Sequence, residues 1–329
     1  MSPDTFDRSD PVDVELTAPA GITITSVKLG DDTVDATNYT LTQGGRVAVL
    51  KSSYLADLSD GEKTFKAMAN TTACVTGTVT ISGELAAEFD RSDPDDIAID
   101  VSDATITGVK LGDDAVDASN ITISNSNHTV TLKKTYLATL GIGVKEFTVM
   151  ASTTECVVCE VTVTGAFEAE FDREDAADVA VTVADATITG LKYQDVAVDA
   201  SNYAISNSDH TVTIKKEYLT TLSDGDKTFK ILEGATAFDT VVVTVSGDGS
   251  ASFSKADPAD VTISVLDAEI TGLKNGSTDV DDTAYSIAEG AHSITITDDY
   301  LATLDNGDVT FSVVLEDADP VVYVVTVGA

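Results

Sequence analysis

Cys156-Val157-Val158-Cys159 has the spacing of a dithiol redox pair or of half a zinc site. Its surroundings argue against both. The run lies in an alternating apolar segment, where residues i and i+3 of a strand point to opposite faces, and the one other cysteine, Cys74, cannot complete a second pair. Cys74 and Cys156 share a repeat position with Phe238 and Pro320, so these thiols read as small hydrophobes. His128, His210 and His292 are also candidate ligands, but they recur every 82 residues, with Arg46 in the same place in the first interval. Groups in separate domains cannot converge on one ion, so each is read as a solvated histidine at the start of a Thr-rich strand.

Carboxylates offer a third chemistry. Asp31, Asp32 and Asp35, then Asp113, Asp114 and Asp117, then Asp195 and Asp199, then Asp279, Asp281 and Asp282 recur in one turn of the repeat. Calcium takes oxygen ligands of this kind, but none of these clusters shows the D-x-D-x-D-G run with a distal Glu. Solvated turns are the expectation, with calcium the one cofactor the pattern leaves open. The chain also lacks a G-x-S-x-G elbow, a Gly-rich phosphate loop and a histidine in register with a nucleophile. No catalytic, cofactor-binding or metal-ligating residue is assigned, and no enzyme activity is expected.

Sugar binding would call for flat rings. The chain has no Trp, and eight of its ten Phe and four of its nine Tyr fall on three fixed repeat positions, the pattern of a core. Tyr39, Tyr203 and Tyr285 share another position, at the start of an expected strand.

The 329 residues carry 56 Asp and Glu against 19 Lys and Arg, a net charge of −37. Such a chain repels a polyphosphate backbone, which excludes nucleic acid as its main partner. A hydrophobic share of 43% is enough to build cores. No apolar run approaches the ~20 residues of a membrane span, and Met1-Ser2-Pro3-Asp4-Thr5 has neither a basic nor an apolar leader region. The expectation is a protein that is neither membrane-inserted nor an obvious secretory precursor as written.

The elements that hold these residues come from a repeat. Tyr54, Tyr136, Tyr218 and Tyr300 stand 82 residues apart, as do Phe65, Phe147, Phe229 and Phe311. Phe6, Phe89, Phe171 and Phe253 are spaced 83, 82 and 82, the odd residue falling near Pro19-Ala20-Gly21. Segments 123–140 and 205–222 agree at 14 of 18 positions. Four copies therefore fill the chain, at 1–83, 84–165, 166–247 and 248–329, with short joints near Gly83, Gly165 and Gly247. Period-2 runs such as Val179-Ala180-Val181-Thr182-Val183 read as half-buried antiparallel strands, about seven to a copy, with one helical turn near Tyr218-Leu222 crossing between sheets. The fold class is all-β: four tandem antiparallel β-sandwiches in an elongated, restrained rod.

Four runs of Tyr-Leu-x-x-Leu-x-x-Gly-x-x-x-Phe, beginning at Tyr54, Tyr136, Tyr218 and Tyr300, accompany an Asp-Pro-x-Asp opening and a closing strand such as Val321–Val327. Together they resemble the X2 module, an immunoglobulin-like sandwich of clostridial cellulosome scaffolds and other bacterial surface proteins. The resemblance covers the whole chain and implies a spacer, surface decoration or weak adhesin.

The main functional expectation is a non-enzymatic virion protein of a tailed phage, decorating the head or forming a fibre, with capsid or tail proteins as partners, homo-oligomerisation and weak attachment to host glycan. The alternative is a spacer or adhesin segment of a secreted bacterial surface protein with weak carbohydrate binding, placing it outside the cell. Attachment is expected through copy one, whose departures (Pro19-Ala20-Gly21, Gln43-Gly44-Gly45 and Arg46) cluster in turns.

Overall fold

The computed structural model describes residues 3–329. The chain forms two compact units, one running through Ala138 and resuming at Ile142–Gly165, the other made of Thr139–Gly141 and Ala166–Ala329.

In copy one, alternation builds the strands directly. Val14–Thr17 (β2) buries Val14 and Leu16 and exposes Glu15 and Thr17, and Thr5–Asp7 (β1) buries only Phe6. The other elements are β3 (Ser26–Leu29), β4 (Asp32–Thr33), β5 (Tyr39–Thr42), β6 (Val47–Leu50), a one-turn helix α1 (Ser52–Ala56), β7 (Gly61–Ala69) and β8 (Thr72–Ser82). β2-β6-β5 make a three-stranded sheet and β1-β8-β7-β3-β4 a five-stranded one, and the same two orders recur in each later copy. α1 carries the chain from the smaller sheet to the larger, as expected of the crossover turn.

Two details differ from the sequence reading. Each copy has eight strands rather than seven, because a two-residue strand such as Asp32–Thr33 folds back on its neighbour within what reads as a turn. The first strand is also not antiparallel. β1 runs parallel to β8, with Thr5, Phe6 and Asp7 opposite Thr80, Ile81 and Ser82, because the chain enters a copy beside the strand by which it leaves.

The cores of copies one, three and four each draw on residues of that copy alone. Phe65, Phe147, Phe229 and Phe311 are wholly buried. Each meets the ring of its crossover tyrosine edge-on, with centroids 6.4, 6.4, 6.2 and 6.4 Å apart from copy one to copy four. Such a pairing adds specificity to burial. Phe147→Ala or Phe229→Ala should cost about 3–5 kcal/mol, as for other buried Phe truncations. Denaturant unfolding of the full chain should show the loss confined to one transition; a cost under about 1 kcal/mol would place the ring outside the core.

Candidate functional site

The residues singled out for chemistry turn out to hold turns and joints. His128, His210 and His292 sit in left-handed backbone at φ 53°, 51° and 47°, a conformation histidine tolerates better than most residues. Their Nδ1 atoms lie 2.8, 3.0 and 2.9 Å from the carbonyls of Ala104, Ala186 and Ala268. A carbonyl only accepts, so Nδ1 carries the proton and donates. These half-buried rings latch one hairpin tip to a neighbouring turn, a correction to the solvated strand-end reading. In copy one Gly44 and Gly45 take the positive φ, at 68° and 83°, and Arg46 returns to right-handed backbone.

The acidic turns are tied down locally. Asp35, Asp117, Asp199 and Asp281 each accept a backbone N–H two residues on, at 2.8, 2.7, 2.8 and 2.9 Å. Hydroxyl and amide hydrogen bonds from that same residue hold all four carboxyls below the ordinary range. Asp31 and Asp195 pair instead with Lys66 and Lys230, at 2.9 and 2.5 Å. Among the described residues, no three His, Cys, Asp or Glu side chains come together as a metal cage.

The three cysteines are free thiols. Cys159 faces the core of copy two, and burial pushes its thiol up to about 11. Cys156 is the extra residue of a β-bulge, where Val149 opposes Val157 but Met150 opposes Glu155. Burial pushes its thiol up as well, so neither supplies thiolate for redox work. Cys74 and Phe238 occupy the corresponding bulges of copies one and three.

None of the ten Phe and nine Tyr is exposed. Phe167, Phe238 and seven of the Tyr are half-buried, and the remaining rings are buried.

What the sequence reading missed is a polar clamp joining consecutive copies. In the first unit, Asp103 of copy two accepts from the Ser59 N–H at 2.6 Å and from its hydroxyl at 3.1 Å, and pairs with Lys63 at 2.6 Å. Ser102 N–H donates to the Asp57 carbonyl and Asp60 N–H to the Cys156 carbonyl, both at 2.7 Å. The second unit repeats the device. Asp267 accepts from Ser223 at 2.6 and 3.0 Å, pairs with Lys227 at 2.8 Å and takes a further bond from the Tyr193 hydroxyl at 3.0 Å. The Lys227 and Asp267 side chains are only 8% and 2% exposed, so this is a desolvated pair, which is favourable only when hydrogen bonds complete it.

On the opposite side, the crossover loop is gripped by the Arg of each Phe-Asp-Arg opening. Arg8 donates to the carbonyls of Ala56, Leu58 and Gly83 and to the Asp60 carboxylate. Arg173 does the same with Thr220, Leu222, Gly247 and Asp224. The joint glycines are required here. Gly83 and Gly247 have φ 91° and 81°, and a Cβ would fall 2.6 and 2.1 Å from the carboxylate oxygens of Asp7 and Asp172.

The outer copies do not keep these residues. Ala20 of copy one stands in the place of Asp103, and Asp305 and Val309 of copy four stand in the places of Ser59 and Lys63. In the second unit the short segment Thr139–Gly141 brings Gly141, at the serine position, to donate its N–H to Asp185 at 2.7 Å. A side chain there would collide with Phe238, whose ring comes within 1.9 Å of the missing Cβ.

Burial alone pushes the Asp267 carboxyl up, but the bonds from Lys227 and Ser223 outweigh it and hold it below its ordinary value. A lowered carboxyl contributes stability above the ordinary value near ~3.9, and that stability is lost as pH falls through the lowered one. Hydrogen exchange at Ser223 and Leu266 should therefore quicken below about pH 4 before the core amides do. Asp267→Ala, which leaves Lys227 buried and unpaired, should cost about 3–5 kcal/mol by denaturant unfolding. Unchanged protection and stability would show that the clamp contributes nothing.

Residues 164–240 and 248–325 match the family model described as carbohydrate binding domain X2, a binding rather than a catalytic family. No curated protein sequence matches the chain. Among solved structures it is similar to a tri-modular GH5 (subfamily 4) endo-beta-1,4-glucanase from Bacillus licheniformis complexed with cellotetraose, at 15% identity and TM-score 0.22 over 49% of this chain and 37% of that one. It is similar to SGBP-B of the Bacteroides ovatus mixed-linkage glucan utilization locus in complex with a mixed-linkage heptasaccharide, at 13% identity and TM-score 0.25 over 98% and 86%. A third is Sidekick-1 immunoglobulin domains 1–4, at 10% identity and TM-score 0.19 over 99% and 96%. The chain thus spans well under half the length of the glucanase. The family match gives the virion expectation no support and favours its alternative, a secreted or surface protein. Copies three and four thus match the carbohydrate binding domain X2 family, and copies one and two share their repeat positions.

Proposed function

We propose that this chain is a non-enzymatic spacer or adhesin segment of a secreted bacterial surface protein, with weak carbohydrate binding as its recognition activity. The observation that carries this reading is the tandem match of residues 164–240 and 248–325 to a carbohydrate-binding family. That no aromatic side chain stands fully exposed fits weak binding, with hydroxyls and carboxylates carrying most of the sugar contacts. A cleft in the first unit offers such groups: Ser9, Ser52 and Ser53 of copy one face Glu84, Leu85 and Glu160 around it. The neighbouring Glu160 charge pushes the Glu84 carboxyl up, so a hydroxyl donor between the two relieves their repulsion. Capsid or tail partners and homo-oligomer formation form no part of this reading.

Affinity electrophoresis of the full chain through gels containing soluble polysaccharides, with sedimentation on insoluble cellulose, chitin and peptidoglycan, tests it. The expected result is a weak, reversible retardation by at least one polymer, with no release of reducing sugar and with loss on Glu160→Ala. Free migration and no co-sedimentation with any of them would remove carbohydrate recognition from the proposal.

A further inference from the structure

Register fixes which residues of the outer copies take the places of the clamp. The Ala18 N–H bonds the Arg46 carbonyl at 2.9 Å as the Val101 N–H bonds that of His128 at 2.8 Å. Pro19 therefore stands where Ser102 does, and Ala20 where Asp103 does. In the later copies this head turn makes two constant contacts with the copy before it. Ser102, Ala184 and Leu266 donate their N–H to the carbonyls of Asp57, Thr139 and Thr221 at 2.7, 2.8 and 2.7 Å. The aspartate that follows each accepts the N–H of Ser59, Gly141 or Ser223, at 2.6, 2.7 and 2.6 Å. Copy one can make neither contact, because Pro19 has no N–H and Ala20 no carboxylate. Its turn is also one residue longer, closing from the Ile22 N–H to the Pro19 carbonyl at 3.1 Å, whereas in copy two Ala104 closes on Val101 at 3.2 Å.

The tail of copy four departs in step. Val309 lies opposite Val325 as Lys227 lies opposite Val243, and Asp305 precedes Gly307 by two residues as Ser223 precedes Gly225. An incoming aspartate would meet a carboxylate where the joints inside the chain offer a serine or a glycine. It would also find a valine where Lys227 closes the ion pair. Two carboxylates drawn out of water with no cation between them repel. An incoming Ala20 would instead cover Asp305, which is exposed in this chain, and leave its charge unpaired. The head thus loses the amide donor and the acceptor carboxylate, and the tail loses the serine hydroxyl and the lysine.

We propose that these two faces are caps, which stop a second copy of this chain from joining head to tail through the contact that joins its own repeats. Such a contact is heterologous, and a heterologous contact whose rotation does not close grows into an open filament. Repeats that mate by one device carry that hazard at any face left in the mating pattern. The proposal concerns the residues of two faces and holds whatever adjoins either end of the chain.

The test restores the two faces separately in the full chain. In the head variant residues 19–22 become Ser-Asp-Ala, the sequence of residues 102–104. The tail variant carries Asp305→Ser with Val309→Lys. Sedimentation velocity follows each up to about 1 mM, near the local concentration at which linked domains meet. The buffer holds about 0.15 M salt, where a Debye length of ~8 Å screens the repulsion between chains of charge −37. The wild type and either variant alone should stay at 34.2 kDa. A 1:1 mixture of the two variants should form pairs of twice that mass and stop there, since each pair has only capped faces left. A chain with both faces restored should grow past the pair. Should the shortened turn keep copy one from folding, Pro19→Ser with Ala20→Asp restores the donor and the carboxylate at the native turn length. A wild-type chain that grows in mass over the same range, or a mixture of folded variants that stays monomeric, would overturn the proposal. No glycan enters the measurement, so its outcome is independent of carbohydrate recognition.

Discussion

Leaving the three-stranded sheet at Leu50, the chain must reach the five-stranded sheet at Gly61, and much of the structure follows from how that crossing is made. The crossing buries Leu55 of the short helix and Leu58 just beyond it and sets Tyr54 against Phe65. A helix this short leaves its last carbonyls without partners. Arg8 takes the carbonyls of Ala56 and Leu58 from one side, and the next copy binds the Asp57 carbonyl and the N–H groups of Ser59 and Asp60 from the other. What begins as a local need, the satisfaction of a helix end, thus becomes the socket for the following domain.

A net charge of −37 opposes the packing of one copy against the next. The distribution of charge resolves this. Most of the recurring turn carboxylates accept backbone amides or pair with lysines beside them, so they stay ionised where they are solvated. Lys63 and Lys227 are placed where two copies meet, opposite one carboxylate each. Serine supplies the extra bonds that a desolvated pair needs, through both its amide and its hydroxyl.

Strand alternation, the crossover turn and the buried Phe positions were legible in the sequence because each rests on local periodicity that four copies repeat. The direction of the first strand was not, since Thr5-Phe6-Asp7 alternates identically whether its neighbour runs parallel or antiparallel. Nor was the role of the histidines, because a residue opening a Thr-rich strand reads as solvated until the carbonyl of Ala104 is placed beside its ring. The clamp had left a signal that single-residue reasoning passed over. Leu-Ser-Asp-Gly-x-Lys occurs at Leu58 and again at Leu222, and the matching aspartates, Asp103 and Asp267, lie in the copies that follow. The two halves lie some 40 residues apart and make sense only as a pair across a joint.

The fit between Gly141 and Phe238 bears on how such a gene can change length. Copies two and three are alike enough in segments 123–140 and 205–222 to be natural sites of unequal recombination. A crossover there would delete one repeat unit and fuse the front of copy two to the back of copy three. The hybrid would keep Asp103 but bring Phe238 in place of Cys156, facing Ser59 rather than a glycine. Since the ring lies 1.9 Å from where a Cβ at Gly141 would stand, the shortened product would inherit a mismatched joint. Selection on that contact would keep the number and order of repeats from drifting, despite the likeness of the two segments.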